Sequence, residues 1–312
     1  MRRLRFGPGY DPDKNFFICL IAAVLLLTVI PCHADVLFVH DYKITEYLLG
    51  EKDAELAAGY TDQAMFVDKQ TRYIGSWMKR FFGKVEEKRE TTHFLLGQGR
   101  IQEIDWYRGR VVVFPFEKFT DVGWMKQQTQ GLRETEEFLK ARYQVTRPQL
   151  TIRSLPEKKT ISDIPCSHVE AKLRLETIDI KKKASSITLV HQDLWVSDAV
   201  PGFEEYKRFH AALAQKMGLD AARMGSLSFL LRYWEGSLDP IRESLKSVSG
   251  YPVSSTLTVD GQYIKDMDSD AAKTHSFQIK EEFMQLREVR LDKLDASRFK
   301  APADFQIVTS SP

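Results

Sequence analysis

The sequence predicts an α+β fold that is mainly antiparallel β and is built on one large sheet. The segments run as strands, a helix, strands, helices and strands, which differs from the alternating β-α units of a parallel sheet. Tight turns that contain Gly join residues 92–97, 100–106 and 110–119 into a meander, and such short connections make neighbouring strands antiparallel. No stretch rich in Pro, Gly or Ser divides residues 35–312, so we expect a single domain there.

The remaining elements follow from their periodicity. Alternation or β-rich composition predicts further strands at 35–48, 64–74, 149–155, 166–177, 186–197, 251–259 and 276–291. Helical spacing or composition predicts helices at 75–88, 130–142, 203–217, 227–234 and from 240 onward. The helix at 203–217 has the strongest signal, because Phe203, Tyr206, Phe209, Leu213 and Met217 fall on one face and Gly218 follows as a natural stop.

The segment VVVFPF at residues 111–116 is apolar on both faces of its strand. Alternating strands have one face in water, whereas a continuous apolar run indicates two buried faces. We therefore expect other parts of the chain to cover this strand on both sides. Pro115 removes one ladder donor, which favours an edge or a bulge.

Residues 1–34 have the pattern of a secretory signal peptide. Basic residues precede an apolar run of 15 residues at 16–30, and small residues follow it. That run is shorter than the roughly 20 residues a membrane helix needs, so we expect cleavage after Ala34, a periplasmic location and no stable membrane span after cleavage. An uncleaved N-terminal anchor is the alternative.

The charge balance argues against nucleic acid as a partner. From totals of 45 Lys and Arg and 43 Asp and Glu, removal of residues 1–34 takes away four basic and two acidic residues and leaves 41 of each. Phosphate binding needs concentrated positive charge, which a balanced chain lacks. Cys166 remains the only cysteine after that cleavage, so no internal disulfide is expected.

Motifs for catalysis are absent from the sequence. It contains no G-x-S-x-G elbow, no G-x-G-x-x-G and no Walker loop. Cys166 and His168 share a strand face, but a nucleophile pair needs a third orienting group. Residues 266–277 begin like a calcium loop but lack its Gly and its final Glu. We therefore predict no catalytic residue, no cofactor, no metal and no enzymatic activity.

Several aromatic residues could line a pocket for a hydrophobic ligand. They are Trp106, Phe114, Phe116 and Trp195. A place in the core is the default interpretation of such residues, and a pocket lining is the alternative.

The chain resembles exported proteins of unknown function in the LolA/LppX-like superfamily. The similarity lies in GQGRIQEIDWYRGRVVVFPFEKF, in KKTISDIPCSHVEAKLRLE, in DLWVSDAVPGFEEYKRF with SGYPVSSTLTV, and in the closing RFKAPADFQIV. The resemblance implies a half-open antiparallel β-barrel, one large curved sheet wrapped around a few helices. Related families carry lipoproteins or lipids in that concavity, and none has catalytic residues to transfer.

These observations favour an exported binding or carrier module for a lipid, an acyl chain or another hydrophobic ligand. The first alternative is a non-catalytic envelope interaction protein whose cavity is plugged by its own helices, at 203–217 and 227–234. The second is a metal-dependent hydrolase built on Cys166, His168, His191 and Asp193.

Overall fold

The structure, a computed structural model, describes residues 35–47, 50–74, 87–117, 142–146, 149–217, 249–265 and 273–309. The chain divides into two compact units, Met1–His33 and Ala34–Pro312, and every described residue lies in the second. The predicted signal segment, the helices at 227–234 and from 240, almost all of the helix at 130–142 and most of the helix at 75–88 lie outside the described residues.

The described residues form thirteen strands and one α-helix of more than one turn. The strands are β1 (Val36–Glu46), β2 (Gly50–Tyr60), β3 (Ala64–Ile74), β4 (Glu87–Leu95), β5 (Arg100–Asp105), β6 (Arg110–Pro115), β7 (Tyr143–Val145), β8 (Gln149–Ile161), β9 (Ile164–Asp179), β10 (Ala184–Ser197), β11 (Tyr251–Lys265), β12 (Lys273–Arg290) and β13 (Gln306–Thr309). The helix α1 spans Phe203–Met217.

All thirteen strands belong to one sheet. Its order is β13-β6-β5-β4-β3-β2-β1-β12-β11-β10-β9-β7, and β8 also pairs with β9. Every pairing among these strands is antiparallel except that of β13 with β6, which is parallel. The two ends of this order do not pair with each other, so the sheet is open as well as curved. The predicted fold class, a large antiparallel half-barrel around helical structure, is confirmed.

Helix α1 packs on one face of the sheet, which we call the inner face; the opposite face is the outer face. Phe203, Tyr206, Phe209 and Leu213 of α1 are buried in one cluster with side chains from β1, β2, β3, β5 and β11. The helical spacing in the sequence placed these four residues on one face of the helix. Their burial therefore fixes α1 against the inner face of the sheet. The helix lies where β2 ends and β3 begins, and we call this the helix end of the sheet.

The C-terminal segment covers part of the outer face. Leu294 and Phe299 pack against a cluster of Leu37, Val39, Ala57 and Phe66. Further along, Ala301 and Phe305 pack against Ile104, Val111 and Val113. Residues 291–305 therefore cross the outer face of the N-terminal half of the sheet before β13 joins its edge.

This arrangement accounts for the doubly apolar run at 111–116. Val111 and Val113 point to the outer face and lie under the C-terminal segment. Phe114 points the other way and packs against the cluster that contains α1. The prediction that both faces of this strand are covered is confirmed. Pro115 is the last residue of β6, where a missing ladder donor costs least.

Several elements differ from the sequence-based expectation. Strand β7 was missed, β11 ends at Lys265 rather than at 259, and the last two residues of the helix predicted at 75–88 begin β4. Strand β2 was missed, because its sequence GEKDAELAAGY is rich in residues with low β propensity, yet it pairs along its whole length with β1. Strand β8 continues to Ile161 rather than ending at 155. The final segment ends in β13, and its parallel pairing with β6 gave no local signal.

The β8–β9 turn shows how local chemistry sets register. Ile161 pairs with Ile164, so the loop contains only Ser162 and Asp163, with φ of 49° and 63°. Two-residue hairpins of type I′ need positive φ at both positions, and Asp tolerates it better than most residues. The hairpin thus forms without the Gly that is usual at such a turn.

Gly250, just before β11, provides a stability test of the fold. Its φ is +108°, and an added Cβ would lie 2.8 Å from the backbone N of Ser197. Because backbone atoms cannot move aside, we expect Gly250→Ala to lower the free energy of unfolding by about 3 kcal/mol, from steric overlap and backbone strain together.

Gly99→Ala is the matched control, because Gly99 has φ +61° but no described atom lies within 4 Å of the added Cβ. Gly99→Ala should lower the free energy of unfolding by only about 1 kcal/mol, the cost of placing Ala in a left-handed backbone conformation. Urea unfolding of both variants measures the difference. Equal costs would contradict the steric account of Gly250.

No helix among the described residues is both long enough and apolar enough to cross a membrane.

Candidate functional site

A cavity of about 650 Å³ lies at the end of the sheet opposite α1; we call it the open-end cavity. The described residues that line it come from the ends of β1 and β3 and the starts of β2 and β12: Thr45, Glu46, Tyr47, Gly50, Glu51, Ile74, Phe277, Gln278 and Ile279. Its volume falls in the range of roughly 300–1,000 Å³ typical of small-molecule sites.

Large apolar side chains at the open-end cavity are exposed to solvent. The exposed fractions are 70% for Tyr47, 45% for Phe277 and 36% for Ile279. The rings of Tyr47 and Phe277 lie 6.2 Å apart, and the backbone N–H of Tyr47 donates to the carbonyl of Ile279 at 3.0 Å. Single exposed apolar residues are ordinary, whereas a group of them around a cavity marks a binding surface.

The position of Phe277 depends on Gly261 of the neighbouring strand. The two residues are register partners, and a Cβ on Gly261 would lie 2.5 Å from the Phe277 ring. The ring therefore lies across the backbone of β11, which only Gly permits at this distance. This contact holds the aromatic ring at the mouth of the cavity.

Buried apolar side chains continue along the inner face from the core around α1 toward the open-end cavity as far as Ile44. The strand register places Tyr42 beside Ala54 and Met284, and Ile44 beside Glu282. Of these, Ile44, Ala54 and Met284 are buried. Beyond Ile44 the inner face becomes charged. Lys52, the β2 partner of Ile44, is buried and contacts Glu46 at 2.5 Å, and Glu282 contacts Lys280 at 2.5 Å.

The structure separates the four aromatic residues that the sequence predicted as a ligand lining. Phe116 is buried in the cluster with α1, and Phe114 and Trp195 pack against that cluster. Trp106 lies on the outer face, where its ring packs 5.4 Å from that of Phe305. Three of the four therefore share one cluster and the fourth does not. Their role in binding a ligand stays a prediction.

Trp106 also lines a groove of about 700 Å³ on the outer face. Much of the groove is charged, and ion pairs connect its charges. The Arg287 guanidinium contacts Asp41 at 2.8 Å and Glu55 at 2.7 Å, and Arg72 contacts Asp53 at 3.5 Å. Because these ion pairs neutralise the charges, the groove provides no net field for a charged ligand. Trp106 and the exposed Tyr107 add aromatic surface to its lining.

A second group of side chains lies on the polar face of β9 and β10, and we call it the His–carboxylate cluster: Glu170, His191 and Asp193, with His168 beside them. His191 and Asp193 are two residues apart on β10 and so share a face, and Glu170 is the direct register partner of Asp193. His191 Nε2 lies 3.2 Å from Glu170 Oε1 and 3.5 Å from Asp193 Oδ2.

The surroundings of the cluster fix its charge and orientation. Lys172, with Arg153, holds the pKa of Glu170 at about 2 through charged hydrogen bonds, so this carboxyl group is ionised at neutral pH. His168 Nε2 lies 2.9 Å from Asp193 Oδ1, and the His168 ring stacks on Trp195 at 4.4 Å. The stacking restricts His168, which in turn restricts the Asp193 carboxylate.

The structure brings together three of the four residues of the hydrolase alternative and sets Cys166 apart. The thiol of Cys166 donates to the carbonyl of Ile164 at 3.3 Å. Burial raises the pKa of Cys166, which favours the neutral thiol over the thiolate that nucleophiles and metal ligands need. Cys166 is therefore unsuited to either role in the hydrolase alternative.

Sequence reasoning missed Glu170 as a member of this cluster and missed the open-end cavity altogether. Glu170 stands in the alternating run at 167–177, where it reads as a solvated strand position. Only the β9–β10 register places it opposite Asp193. Tyr47 and Phe277 are 230 residues apart in the sequence, and no local pattern links them.

The comparisons with known proteins give distant structural similarities. No family model matches the chain, and no curated protein matches it. Among solved structures, the chain is similar to PNGF-II at a TM-score of 0.29 and 6% identity, covering 88% of this chain and 31% of that one.

It is also similar to the LolA superfamily protein NE2245 from Nitrosomonas europaea, at a TM-score of 0.24 and 8% identity, covering 86% of this chain and 91% of that one. The chain thus spans about a third of PNGF-II and most of the LolA superfamily protein. At these scores neither similarity says what this chain binds.

Proposed function

We propose that this protein is an exported, periplasmic module that binds or carries a lipid, an acyl chain or another hydrophobic ligand at the open-end cavity. The observation that carries the proposal is the group of exposed apolar side chains around a 650 Å³ cavity, Tyr47, Phe277 and Ile279. The signal-type sequence at 1–34 supports export.

The energetics suit a ligand without a specific polar group. Each methylene removed from water contributes about 0.8 kcal/mol, so about ten of them contribute roughly 8 kcal/mol before the cost of association. The carboxylates of Glu46 and Glu51 lie at the cavity. Glu46 is ion-paired with Lys52 at 2.5 Å, which leaves Glu51 to disfavour a free anionic headgroup inside the cavity, so the acyl portion is the part that we expect to enter.

Binding should depend strongly on Phe277. A charged side chain at the mouth would have to lose water when an acyl chain enters, so we expect Phe277→Asp to weaken binding of a fluorescent long-chain acyl probe at least about tenfold. The measurement is a fluorescence titration of the purified protein, together with native mass spectrometry to detect any lipid that copurifies with it.

Phe283→Asp is the matched control. Phe283 is on the same strand and is 38% exposed, but it pairs with Thr256 and Lys43 and does not line the cavity. It should leave binding unchanged. Absence of saturable probe binding, or an equal loss in both variants, would rule the proposal out.

The packing of α1 favours a second candidate, a non-catalytic interaction protein whose cavity is filled by its own helix. Four side chains of α1 are buried against the inner face at the helix end. This candidate predicts that wild-type protein binds no acyl probe and copurifies without lipid, so the same titration separates the two functions.

A further inference from the structure

The His–carboxylate cluster places two carboxylates directly opposite each other on adjacent strands. Asp193 and Glu170 are register partners on one face, an arrangement in which like charges destabilise the pairing. Lys172 and Arg153 compensate Glu170, at 2.5 and 2.8 Å. Within the described part of the chain, the ion-pair contacts of Asp193 are to His168 and His191, which are charged only when protonated. A cation between the two carboxylates would remove this repulsion.

We propose that Glu170, His191 and Asp193 form a binding site for one divalent transition-metal ion of the zinc class. One ligand atom from each residue lies within 4.8 Å of the other two. For bonds of about 2.0–2.2 Å, the edge of a coordination tetrahedron is about 3.3–3.6 Å. The two distances from His191 Nε2, 3.2 Å to Glu170 and 3.5 Å to Asp193, match that edge closely.

The lack of a hydrogen-bond partner for the buried His191 Nε2 among the described residues supports this assignment. This nitrogen is shielded from solvent and makes no hydrogen bond with any residue that the structure describes, although two carboxylate oxygens lie near it. The oxygens flank the nitrogen without lying along the direction in which it donates or accepts. A metal ion on that axis would be bound by the ring nitrogen and by both oxygens at once.

The donor set selects the class of ion. One imidazole with two carboxylates suits Zn²⁺, Co²⁺ and Ni²⁺, whereas Ca²⁺ and Mg²⁺ prefer oxygen ligands alone. Three protein ligands leave a fourth position for water. The side chains of His191 and Asp193 are 39% and 38% exposed, but Nε2 itself is shielded, so an ion reaches it from solvent only when a neighbouring side chain moves.

Neighbouring residues complete the site. His168 contacts the second oxygen of Asp193, which is the position of an outer partner that orients a ligating carboxylate. Lys172 Nζ contacts Glu170 Oε1, the same oxygen that lies near His191 Nε2. The Lys172 ammonium group therefore occupies the position on this oxygen that the metal ion would take. The metal must displace Lys172, whose side chain is half exposed and can turn to solvent.

The test is metal titration of the protein, purified without a polyhistidine tag and stripped with a chelator. We expect one Zn²⁺ per chain by calorimetry and a visible absorption band on addition of Co²⁺. His191→Ala should weaken Zn²⁺ binding at least about tenfold, as expected for removal of a first ligand. Lys172→Met should tighten binding several-fold, because the competing ammonium group is gone.

His275→Ala is the control, since His275 is an exposed histidine on β12 outside the cluster, and it should leave affinity unchanged. Circular dichroism checks that each variant is folded. The proposal is overturned if wild-type protein shows no saturable Zn²⁺ binding, if His191→Ala binds as tightly as wild type, if Lys172→Met binds more weakly, or if Ca²⁺ competes equally. Each of these results leaves binding at the open-end cavity unaffected.

Discussion

Replacing Phe38 with Ala is expected to lower the free energy of unfolding by about 4 kcal/mol, within the range for large-to-small changes at buried aromatic positions. Phe38 is fully buried and joins four elements. Its ring stacks on Tyr251 of β11 at 4.1 Å and meets Tyr60 of β2 at 5.8 Å and Tyr206 of α1 at 6.5 Å. The variant loses these contacts and leaves a cavity between β1 and the helix.

Urea unfolding measures this loss, and Tyr107→Ala is the matched control. Tyr107 is an aromatic residue in the β5–β6 turn with 78% of its surface exposed, so its removal should change stability by less than about 0.5 kcal/mol. A cost below about 1 kcal/mol for Phe38→Ala would mean that α1 does not depend on this contact for its position.

Stability should also fall steeply as the pH drops from 6.5 to 4. Burial lowers the pKa of His40 and of His210 to about 4, from an ordinary value of 6.5. Above pH 6.5 both histidines are neutral in the folded and the unfolded chain. Below it the unfolded chain takes up protons that the folded protein does not, so acid favours unfolding, by about 3 kcal/mol for each histidine at pH 4.

The groups that face these two histidines do not cancel this effect. His40 lies 5.6 Å from the ring of Tyr251, with its Nε2 at 3.3 Å from the Tyr251 hydroxyl. His210 lies among the rings of Tyr60, Tyr206 and Phe209, and neither of its ring nitrogens makes a hydrogen bond with a described residue. Neither of these sets of neighbours includes a carboxylate that would stabilise the protonated ring.

The check is the unfolding free energy of wild type, His40→Gln and His210→Gln between pH 7.5 and 4.5. Each variant should lose about 2–3 kcal/mol less than wild type over this interval, since Gln does not titrate.

Burial also lowers the pKa of His93, whose contribution remains in both variants. Carboxylates with lowered pKa, such as Asp179 and Glu288, act below about pH 4.5 and so fall outside the interval. Identical pH profiles in all three proteins would contradict the prediction.

Much of the fold could be predicted because several segments carry strong local patterns. Strands β9 and β10 alternate, and α1 has its apolar residues at helical spacing, so these elements appear close to the predicted bounds. Strand β2 could not be predicted in this way. Its Ala and Glu residues are poor strand formers, and β2 owes its conformation to pairing on both sides with β1 and β3.

The candidate sites were harder to predict, because register decides them. His191 and Asp193 share a face in any strand, and their spacing alone predicts this. Their approach to Glu170 requires the β9–β10 pairing to place Asp193 opposite Glu170, and a shift of one residue would send Glu170 to the other face. The open-end cavity requires the end of β1 to meet the start of β12, and no local sequence signal specifies that pairing.

The position of β1 has a consequence for biosynthesis. This strand lies between β2, which follows it directly, and β12, which ends at Arg290. Pairs such as Leu37 with Arg290 close a loop of more than 250 residues, and long-range closure of this kind slows folding. During translation, the middle of the sheet stays incomplete until Arg290 has left the ribosome. The nascent chain therefore remains incompletely folded for most of its synthesis.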